Sequence, residues 1–501
     1  MKNHYLKTIY GITFCSFFVV QPAFTQKKKE WNQPFIKVKK DAPNILWICT
    51  DQQRWNTINA LGNKHIKTPN INRLVKEGVC FNHAFCQSPV SSPSRASFLT
   101  GMYPSSIQVT KNGIDKWPES APLITKILKD AGYECGLAGK FHLSSAMAHR
   151  PEKRPNDDGY QTFHYSHSPY QGGSTNTYIT HFKEKGIDIL ELKSKLGYVP
   201  VEYHQTTWCT DMAIDFINEK REWPWMFSLN VYDPHNPLDP PVEYIDRYDI
   251  ENLPLPLFVD SDIQEKSVFN NVTFQSVPKK IEKTELQKMT ARYWAQIDLI
   301  DENIGRLLKA LEDSGQLDNT LIIFSSDHGD MLGDHGMTAK GCRFYEGLVR
   351  VPLIFWYPSE LKQNLKSEAL VELVDIVPTL LDFVGLSVSD TLDGKSLYPI
   401  LTGEKDCNYH KDFVRCEYYD STYDPEGKLS HGTMYRTKKY KIVNYHGHEK
   451  GELFDLEKDS NEFYNLWDKE THADIRFTLM KESFSITAQT IDRRIKQIAR
   501  Y

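Results

Sequence analysis

A short segment, residues 91–101, combines a hydroxyl, an arginine and signals for a helix. Its first two positions are serines suited to an N-cap, Pro93 suits the first helical position, and Gly101 suits the left-handed position after the last turn. The N-terminus of a helix favours negative charge, and Arg95 follows Ser91 by about one turn. The sequence therefore predicts a capped helix whose first turn presents a serine and a guanidinium to an anion.

Two pairs of residues with metal-ligand side chains each follow a continuous apolar run. Asp51 and Gln52 come after the first run, and Asp327 and His328 come after a later one. Hard cations such as Ca²⁺ prefer several oxygen ligands, which carboxylates and an amide supply. One such pair alone is commonly a helix cap or a surface loop, so the hypothesis of a metal site depends on both pairs and on the Ser91 segment.

These side chains need a fold that brings distant strand ends together. Four apolar runs predict buried strands, and segments with helical periodicity lie between them. The runs are residues 44–49, 225–231, 321–326 and 351–356, and the helical segments are residues 70–77, 122–131, 211–221 and 283–314. This order is typical of an α/β fold with a large mixed, mostly parallel sheet flanked by helices. Ligands bind beyond the carboxyl ends of strands in such folds, where Asp51, His235 and Asp327 fall.

The character of the sequence changes near residue 405. Short strand-like pieces, at residues 414–419, 433–436, 441–445 and 452–456, predict a smaller antiparallel sheet closed by a helix near residues 485–498. We therefore divide the chain into a signal peptide (1–25), a large N-terminal domain (26–404) and a C-terminal α+β subdomain (405–501).

The signal peptide is predicted from three features. Lys2 and Lys7 flank the start, residues 10–20 form a short apolar run, and small residues around Ala23 suit cleavage. The apolar run is too short to span a bilayer comfortably. We expect a secreted or periplasmic protein with no stable membrane insertion.

Composition bounds the possible partners. The chain has 501 residues, 40% of them hydrophobic and 25% charged, which is ordinary for a globular protein with a large core. Its net charge of −5 gives no reason to expect nucleic acid as a partner. Any anionic substrate must therefore be met by local positive charge.

The Ser91 segment carries every fixed position of the type I sulfatase signature: Cys or Ser, any residue, Pro-Ser-Arg, three residues, Leu-Thr-Gly. From about residue 43 to 467 the chain resembles this formylglycine-dependent family of the alkaline phosphatase superfamily. The resemblance implies that a formylglycine-generating maturation enzyme oxidises Ser91 to formylglycine (3-oxoalanine), whose hydrate is the nucleophile. It also implies one divalent ion, Ca²⁺, held by the modified residue and by the two pairs named above. Gln52 replaces a more frequent Asp, and His328 a more frequent Asn.

Three further motifs resemble elements of the same family. The Gly-Lys-Phe-His-Leu motif implies that Lys140 binds sulfate and that His142 helps to take the proton as the aldehyde re-forms. The Pro-His-Asn-Pro motif implies that His235 contacts sulfate and the leaving oxygen, and the later Thr-Ala-Lys-Gly motif implies that Lys340 is a sulfate ligand and an acid. Lys340 and His235 are therefore the two candidates to protonate the departing alcohol. With Arg95, these lysines would stabilise charge on an anionic transition state.

The residues together predict hydrolysis of sulfate esters, on a sulfated carbohydrate, with release of inorganic sulfate. A phosphonate or phosphate ester hydrolase is one alternative, because phosphate and sulfate are both tetrahedral oxyanions. An inactive protein that binds sulfated glycans is another, if Ser91 stays unmodified, and choline sulfate or aryl sulfates remain open as substrates. A hypothetical sugar subsite consists of His149, Arg150, Lys153, Arg154, His164, Tyr165, His167, Tyr170, Tyr419, Tyr423 and His431.

Overall fold

A nine-stranded sheet forms the centre of the structure, a computed structural model that describes residues 37–118, 121–146, 151–272, 276–422 and 429–490. The predicted signal peptide lies outside the described residues. The strands are β1 (Asn44–Thr50), β2 (Val79–Phe85), β3 (Glu134–Gly139), β4 (Thr162–Tyr165), β5 (Trp225–Asn230), β6 (Thr320–Ser326), β7 (Arg350–Val351), β8 (Leu353–Trp356), β9 (Leu365–Glu372), β10 (Phe413–Tyr419), β11 (His431–Thr437), β12 (Tyr440–Tyr445) and β13 (Glu452–Asp455).

The helices flank the sheet or connect its strands. They are α1 (Pro69–Glu77), α2 (Ser91–Thr100), α3 (Pro104–Ile107), α4 (Ile124–Ala131), α5 (Thr177–Glu184), α6 (Ile189–Leu196), α7 (Gln205–Asn218), α8 (Val242–Ile245), α9 (Ser261–Ser267), α10 (Lys283–Asp313), α11 (Glu346–Val349), α12 (Ile376–Phe383), α13 (Tyr398–Leu401) and α14 (Ala473–Gln489). Within the described residues, none of these helices is both long and apolar enough to cross a membrane.

The parallel half of the large sheet has the strand order β4-β3-β5-β1-β6. Every neighbouring pair in this half is parallel, and β1 lies between β5 and β6 with all seven of its residues buried. The predicted strands at residues 44–49, 225–231 and 321–326 are confirmed. Because these strands run in one direction, their carboxyl ends meet at one edge of the sheet.

The other half of the sheet is mixed. Strand β8 pairs antiparallel with β6 and with β2, whereas β9 pairs parallel with β2. The predicted run at residues 351–356 is divided into β7 and β8 at Pro352, which has no backbone N–H to give to a neighbouring strand. The prediction of a mixed, mostly parallel sheet flanked by helices is confirmed.

Helices α1, α7 and α10 bury their apolar faces against one side of the sheet. One apolar cluster includes Leu74 of α1, Trp208 of α7, Leu307 of α10 and Phe227 of β5. Helix α7 begins earlier than the predicted segment 211–221, because the polar residues of its first turn are buried by contacts with distant loops.

A second, four-stranded antiparallel sheet has the order β10-β11-β12-β13, as the sequence predicts. Helix α14 packs on it, with Leu479 against Tyr435 and Ile442. This helix begins before the predicted segment 485–498, and residues 491–501 lie outside the described part of the chain.

Candidate active site

The carboxyl ends of the five parallel strands bring the predicted residues together. Asp51 follows β1, Asp327 follows β6, and Lys140 follows β3. The loop after β5 carries His235, and His167 comes two residues after β4. The edge of the sheet that the sequence predicts as the ligand site therefore holds all of these side chains.

An acidic centre lies at the ends of β1 and β6. Ligand atoms of Asp51, Asp327 and His328 lie within 4.8 Å of one another, and all three residues are buried. Asp327 Oδ1 accepts hydrogen bonds from the backbone N–H groups of Gln52, at 3.0 Å, and of His328, at 2.9 Å. These bonds fix the carboxylate of Asp327 and join the ends of β1 and β6.

Two oxygen atoms of this centre fit a metal ion. Among the residues that the structure describes, Asp51 Oδ1 and Gln52 Oε1 have no hydrogen-bond partner although both are buried. The Gln52 side-chain N–H donates to Asp330, which fixes the orientation of the amide. A buried acceptor without a donor is costly, and a hard cation satisfies carboxylate and amide oxygens. The donor set therefore suits a divalent ion.

His328 offers a nitrogen to the same centre. Its Nδ1 lies 2.8 Å from the Gly329 carbonyl oxygen, so Nδ1 carries the proton and Nε2 presents a lone pair. Nε2 lies 3.2 Å from Ser91 Oγ. Burial lowers the pKa of His328 to about 4, which keeps the imidazole neutral and able to bind a metal.

Two buried cations balance the carboxylates. Arg95 Nε donates to Asp327 Oδ2 at 3.0 Å, and its Nη2 lies 3.5 Å from Asp51 Oδ2. Lys140 Nζ also donates to Asp51 Oδ2. Burial alone would raise the pKa of Asp51, but Lys140 and the other nearby cations outweigh it and hold that pKa well below its ordinary value. The carboxylate is therefore ionised at neutral pH.

Ser91 is fully buried between these groups. Its Oγ lies 3.4 Å from Lys140 Nζ, and all ten residues of α2 are buried. The helix begins at Ser91 itself, with Val90 at the N-cap, so the predictions of a serine N-cap and of Pro93 at the first helical position are wrong. The predicted end is right, because Gly101 has a φ of 72° in the left-handed region.

Lys340 and His235 form a second group beside the first. Lys340 Nζ lies 3.0 Å from His235 Nε2 and 3.3 Å from His328 Nε2. His235 Nδ1 donates to the Asn236 carbonyl oxygen at 2.7 Å, so its Nε2 is the acceptor. Burial lowers the pKa of Lys340 to about 8. Burial and the nearby charge of Lys340 together hold the pKa of His235 well below its ordinary value. The lysine is therefore the proton donor of this pair.

Comparison with known proteins decides the family. A family model described as sulfatase matches residues 43–386, and one described as N-sulphoglucosamine sulphohydrolase, C-terminal, matches residues 333–489. The chain belongs to the sulfatase family. It is a sulfuric ester hydrolase, as the sequence predicts.

Two curated relatives of this sulfatase cover most of it. An arylsulfatase of Clostridium perfringens is 32% identical over 88% of this chain and 94% of the relative. An N-acetylglucosamine-6-O-sulfatase of Bacteroides thetaiotaomicron is 28% identical over 89% of this chain and 86% of the relative. Among solved structures, a phosphonate monoester hydrolase of Silicibacter pomeroyi has a TM-score of 0.78 and 24% identity, over 91% of this chain and 98% of that one. This last likeness shows the fold.

A pair of histidines lies on the Lys140 side of the sulfatase site. The rings of His142 and His167 have centroids 4.4 Å apart. Within the described part of the chain, Nδ1 of both is buried without a hydrogen-bond partner. Burial, followed by neighbouring positive charge, holds both pKa values well below the ordinary value. Both rings are therefore neutral.

Sequence reasoning grouped His167 with a sugar subsite and missed its contact with His142. The signal was weak because β4, which positions His167, is only four residues long and reads Thr-Phe-His-Tyr without an apolar run. Its place beside β3 in the sheet is what brings the ring to the site.

Several other residues of the hypothetical subsite are held in internal contacts. Arg154 pairs with Asp158 at 2.6 Å, and the Tyr170 hydroxyl donates to Asp239 at 2.6 Å. His431 lies 2.9 Å from a carboxylate oxygen of Asp420. The subsite residues His149, Arg150 and Tyr423 lie outside the described residues.

Proposed function

We propose that this sulfatase hydrolyses sulfate esters of carbohydrates with a formylglycine made from Ser91 and a divalent ion, Ca²⁺. The observation that carries the proposal is the position of Ser91, which lies within the sulfatase signature and between His328 Nε2, at 3.2 Å, and Lys140 Nζ, at 3.4 Å. Asp51, Gln52, Asp327 and His328 would hold the ion, together with the modified residue.

The surroundings of Ser91 support oxidation of this residue. A serine hydroxyl is a weak nucleophile and needs a base, a lowered pKa or a metal. Lys140 Nζ is paired with Asp51. His328 Nε2 lies 3.2 Å from Ser91 Oγ, but it belongs to the predicted metal-ligand set and also lies 3.3 Å from Lys340 Nζ, so neither side chain is free to act as a general base for Ser91. Formylglycine, if formed at this position, would supply the oxygen nucleophile as its hydrate and would allow sulfate to leave when the aldehyde is restored. The maturation enzyme would take the two protons and two electrons that leave the serine.

The metal ion, when bound, supplies charge that polarises a sulfate oxygen and lowers the pKa of the hydrate. The side chains perform the remaining tasks. Arg95 and Lys140 place positive charge against the sulfate, and their hydrogen bonds hold the carboxylates of Asp327 and Asp51 in place. Charge fixed in a buried site stabilises an anionic transition state without reorganisation.

Protons move at two places. Lys340 Nζ gives a proton to the leaving alcohol oxygen as the sulfur–oxygen bond breaks, and His235 Nε2, 3.0 Å away, orients it. His142 would take a proton from the modified residue at the step that releases sulfate. Both imidazoles have pKa values held low by burial, so each begins the reaction as an acceptor.

A carbohydrate substrate outside the cell is supported by two observations. The relative named N-acetylglucosamine-6-O-sulfatase is similar over 89% of this chain. The sequence predicts a signal peptide at residues 1–25, and we propose that the protein is secreted or periplasmic, where sulfated polysaccharides and their oligosaccharides would reach it.

Mass spectrometry of the exported protein tests the proposal. Trypsin releases residues 77–95, which contain Ser91. We expect this peptide to be lighter by about two hydrogens, the change from alcohol to aldehyde, and a Ser91→Ala variant to show no such change and no sulfate release. Unmodified Ser91 in protein from its native host would overturn the formylglycine proposal and favour a binding protein for sulfated glycans.

A phosphonate or phosphate ester hydrolase is the second candidate, favoured by the likeness in fold to the phosphonate monoester hydrolase. Matched phenyl sulfate and phenyl phosphonate esters separate the two, because the leaving group is the same. We expect the higher kcat/KM for the sulfate, and a higher value for the phosphonate would reverse the assignment.

A further inference from the structure

Three consecutive backbone amides beside the site converge on one carboxylate. The N–H of His142 donates to Glu152 Oε2 at 2.9 Å, and the N–H groups of Leu143 and Ser144 reach Oε1 at 2.5 and 3.4 Å. The Tyr165 hydroxyl, at the end of β4, is a further hydrogen-bond partner. A series of N–H groups directed at one point forms a cradle for an anion. Here the anion belongs to the chain itself.

The cradle depends on an uncommon backbone conformation. His142 has a φ of 59°, in the left-handed region that residues other than glycine rarely adopt. Such a conformation persists only where its surroundings fix it. Ser144 adds a second clamp, since its Oγ accepts from the Lys153 N–H at 2.8 Å and donates to the Lys153 carbonyl at 3.0 Å. The carboxylate and this clamp together hold the turn that carries His142.

Glu152 has the features of an anion kept for this purpose. Among the described residues, no lysine, arginine or histidine forms an ion pair with it, so the backbone amides are its principal partners. Burial raises its pKa to about 7, and the hydrogen bonds from Leu143 and His142 oppose that rise. A half-buried carboxylate that pairs with no cation of the described residues is costly, which argues for a role beyond filling space.

The turn determines where the His142 ring lies. Its imidazole packs against His167 and feels the charges of Lys140, Arg95 and Asp51. We propose that Glu152 is a positioning residue that holds the left-handed turn and thereby directs the His142 imidazole into the site. This inference rests on the proposed function, in which His142 takes the proton that allows sulfate to leave.

The test compares Glu152→Gln with a control, Asp157→Asn. The amide of glutamine turns one donor toward the backbone N–H groups and loses a charged acceptor, whereas Asp157 lies on the same segment and pairs with surface lysines. We expect kcat of Glu152→Gln to fall about 100-fold with little change in KM, as for a displaced proton acceptor, and Asp157→Asn to match the wild type. In a His142→Ala background, Glu152→Gln should cost nothing further.

Hydrogen exchange of the amides of residues 142–144 gives a readout that does not need turnover. We expect faster exchange in Glu152→Gln and wild-type exchange in Asp157→Asn. Unchanged exchange, or equal losses of kcat with and without His142, would overturn the positioning role. If the wild-type protein shows no sulfate release, the proposed function fails, and the exchange experiment still decides whether Glu152 holds the turn.

Discussion

Replacement of Lys340 separates two tasks of one side chain, proton donation and charge. The ammonium is buried beside His235 and His328 and has its pKa lowered by burial to about 8, so it is charged at neutral pH and gives up a proton readily. Lys340→Gln removes both the charge and the proton. Lys340→Arg keeps a charge but donates poorly, because a guanidinium stays protonated.

The size of the effect depends on the leaving group. A sugar hydroxyl is a poor leaving group and needs a proton as the sulfur–oxygen bond breaks, whereas nitrophenolate does not. General acid catalysis contributes about 10²–10⁴-fold. Lys340→Arg keeps a positive charge near His235 Nε2, which lies 3.0 Å from Lys340 Nζ, and that charge still stabilises the departing oxygen. We therefore expect the lower end, about a 100-fold loss of kcat, for a sulfated sugar in Lys340→Arg.

The assay compares a sulfated monosaccharide with nitrophenyl sulfate in each variant. Lys340→Arg should lose turnover on the sugar and keep most of its turnover on the nitrophenyl ester. Lys340→Gln should lose turnover on both substrates, because it also removes the positive charge. The exposed Lys280→Gln variant serves as the control. Equal losses of Lys340→Arg on the two substrates would refute Lys340 as the acid, because a proton donor cannot affect a leaving group that needs no proton.

Three further predictions concern stability and the metal. Lys411→Met should lower the free energy of unfolding in urea by about 3–5 kcal/mol, because it removes the ammonium that pairs with both buried carboxylates, Glu372 and Asp375. The exposed Lys405→Met should have no effect, and equal values for the two variants would contradict the buried pairing. Asp298→Asn should raise Tm, since burial raises the pKa of Asp298 from 3.8 to about 7; folding must then keep a carboxyl protonated or bury its charge. The gain in Tm should be largest above about pH 7 and should disappear as the pH falls toward the unfolded-state pKa of the carboxyl group. A Tm difference that does not change with pH would count against this explanation. EDTA should abolish sulfate release and lower Tm, and Ca²⁺ should restore both; full activity in protein shown by elemental analysis to hold no divalent ion would exclude the metal.

The central strands could be predicted because burial on both faces leaves an unbroken apolar run, as in β1 and β6. The site residues at their ends could be predicted because parallel strands end at one edge. The first turn of α7 could not, because its polar residues are buried by tertiary contacts: Thr206 Oγ1 donates to Asp233 at 2.6 Å, and the Gln205 side chain accepts from the Tyr232 N–H at 3.2 Å. The periodicity of apolar residues in the sequence does not reveal such tertiary hydrogen bonds.

Sequence reasoning missed the roles of two residues for a different reason. His167 and Glu152 belong to segments whose position depends on β4, a short edge strand with few apolar residues. Both contact the turn after β3: the His167 ring has its centroid 4.4 Å from that of His142, and Glu152 accepts a hydrogen bond from the His142 N–H. Local patterns identify groups at the ends of long buried strands far better than groups that support a turn.

The burial of α2 depends on strands that are synthesised much later than α2 itself. Arg95 and Ser94 bond to Asp327, and 232 residues separate Arg95 from that partner. β1 likewise leaves both of its edges unpaired until β5 and then β6 have been made. Until then Ser91 belongs to an incompletely folded chain, which the proposed maturation enzyme could reach and which is also exposed to incorrect strand pairing. Ser91 is buried once β6 has paired with β1. If Ser91 is oxidised as proposed, the yield of active protein would therefore depend on the relative rates of oxidation and folding.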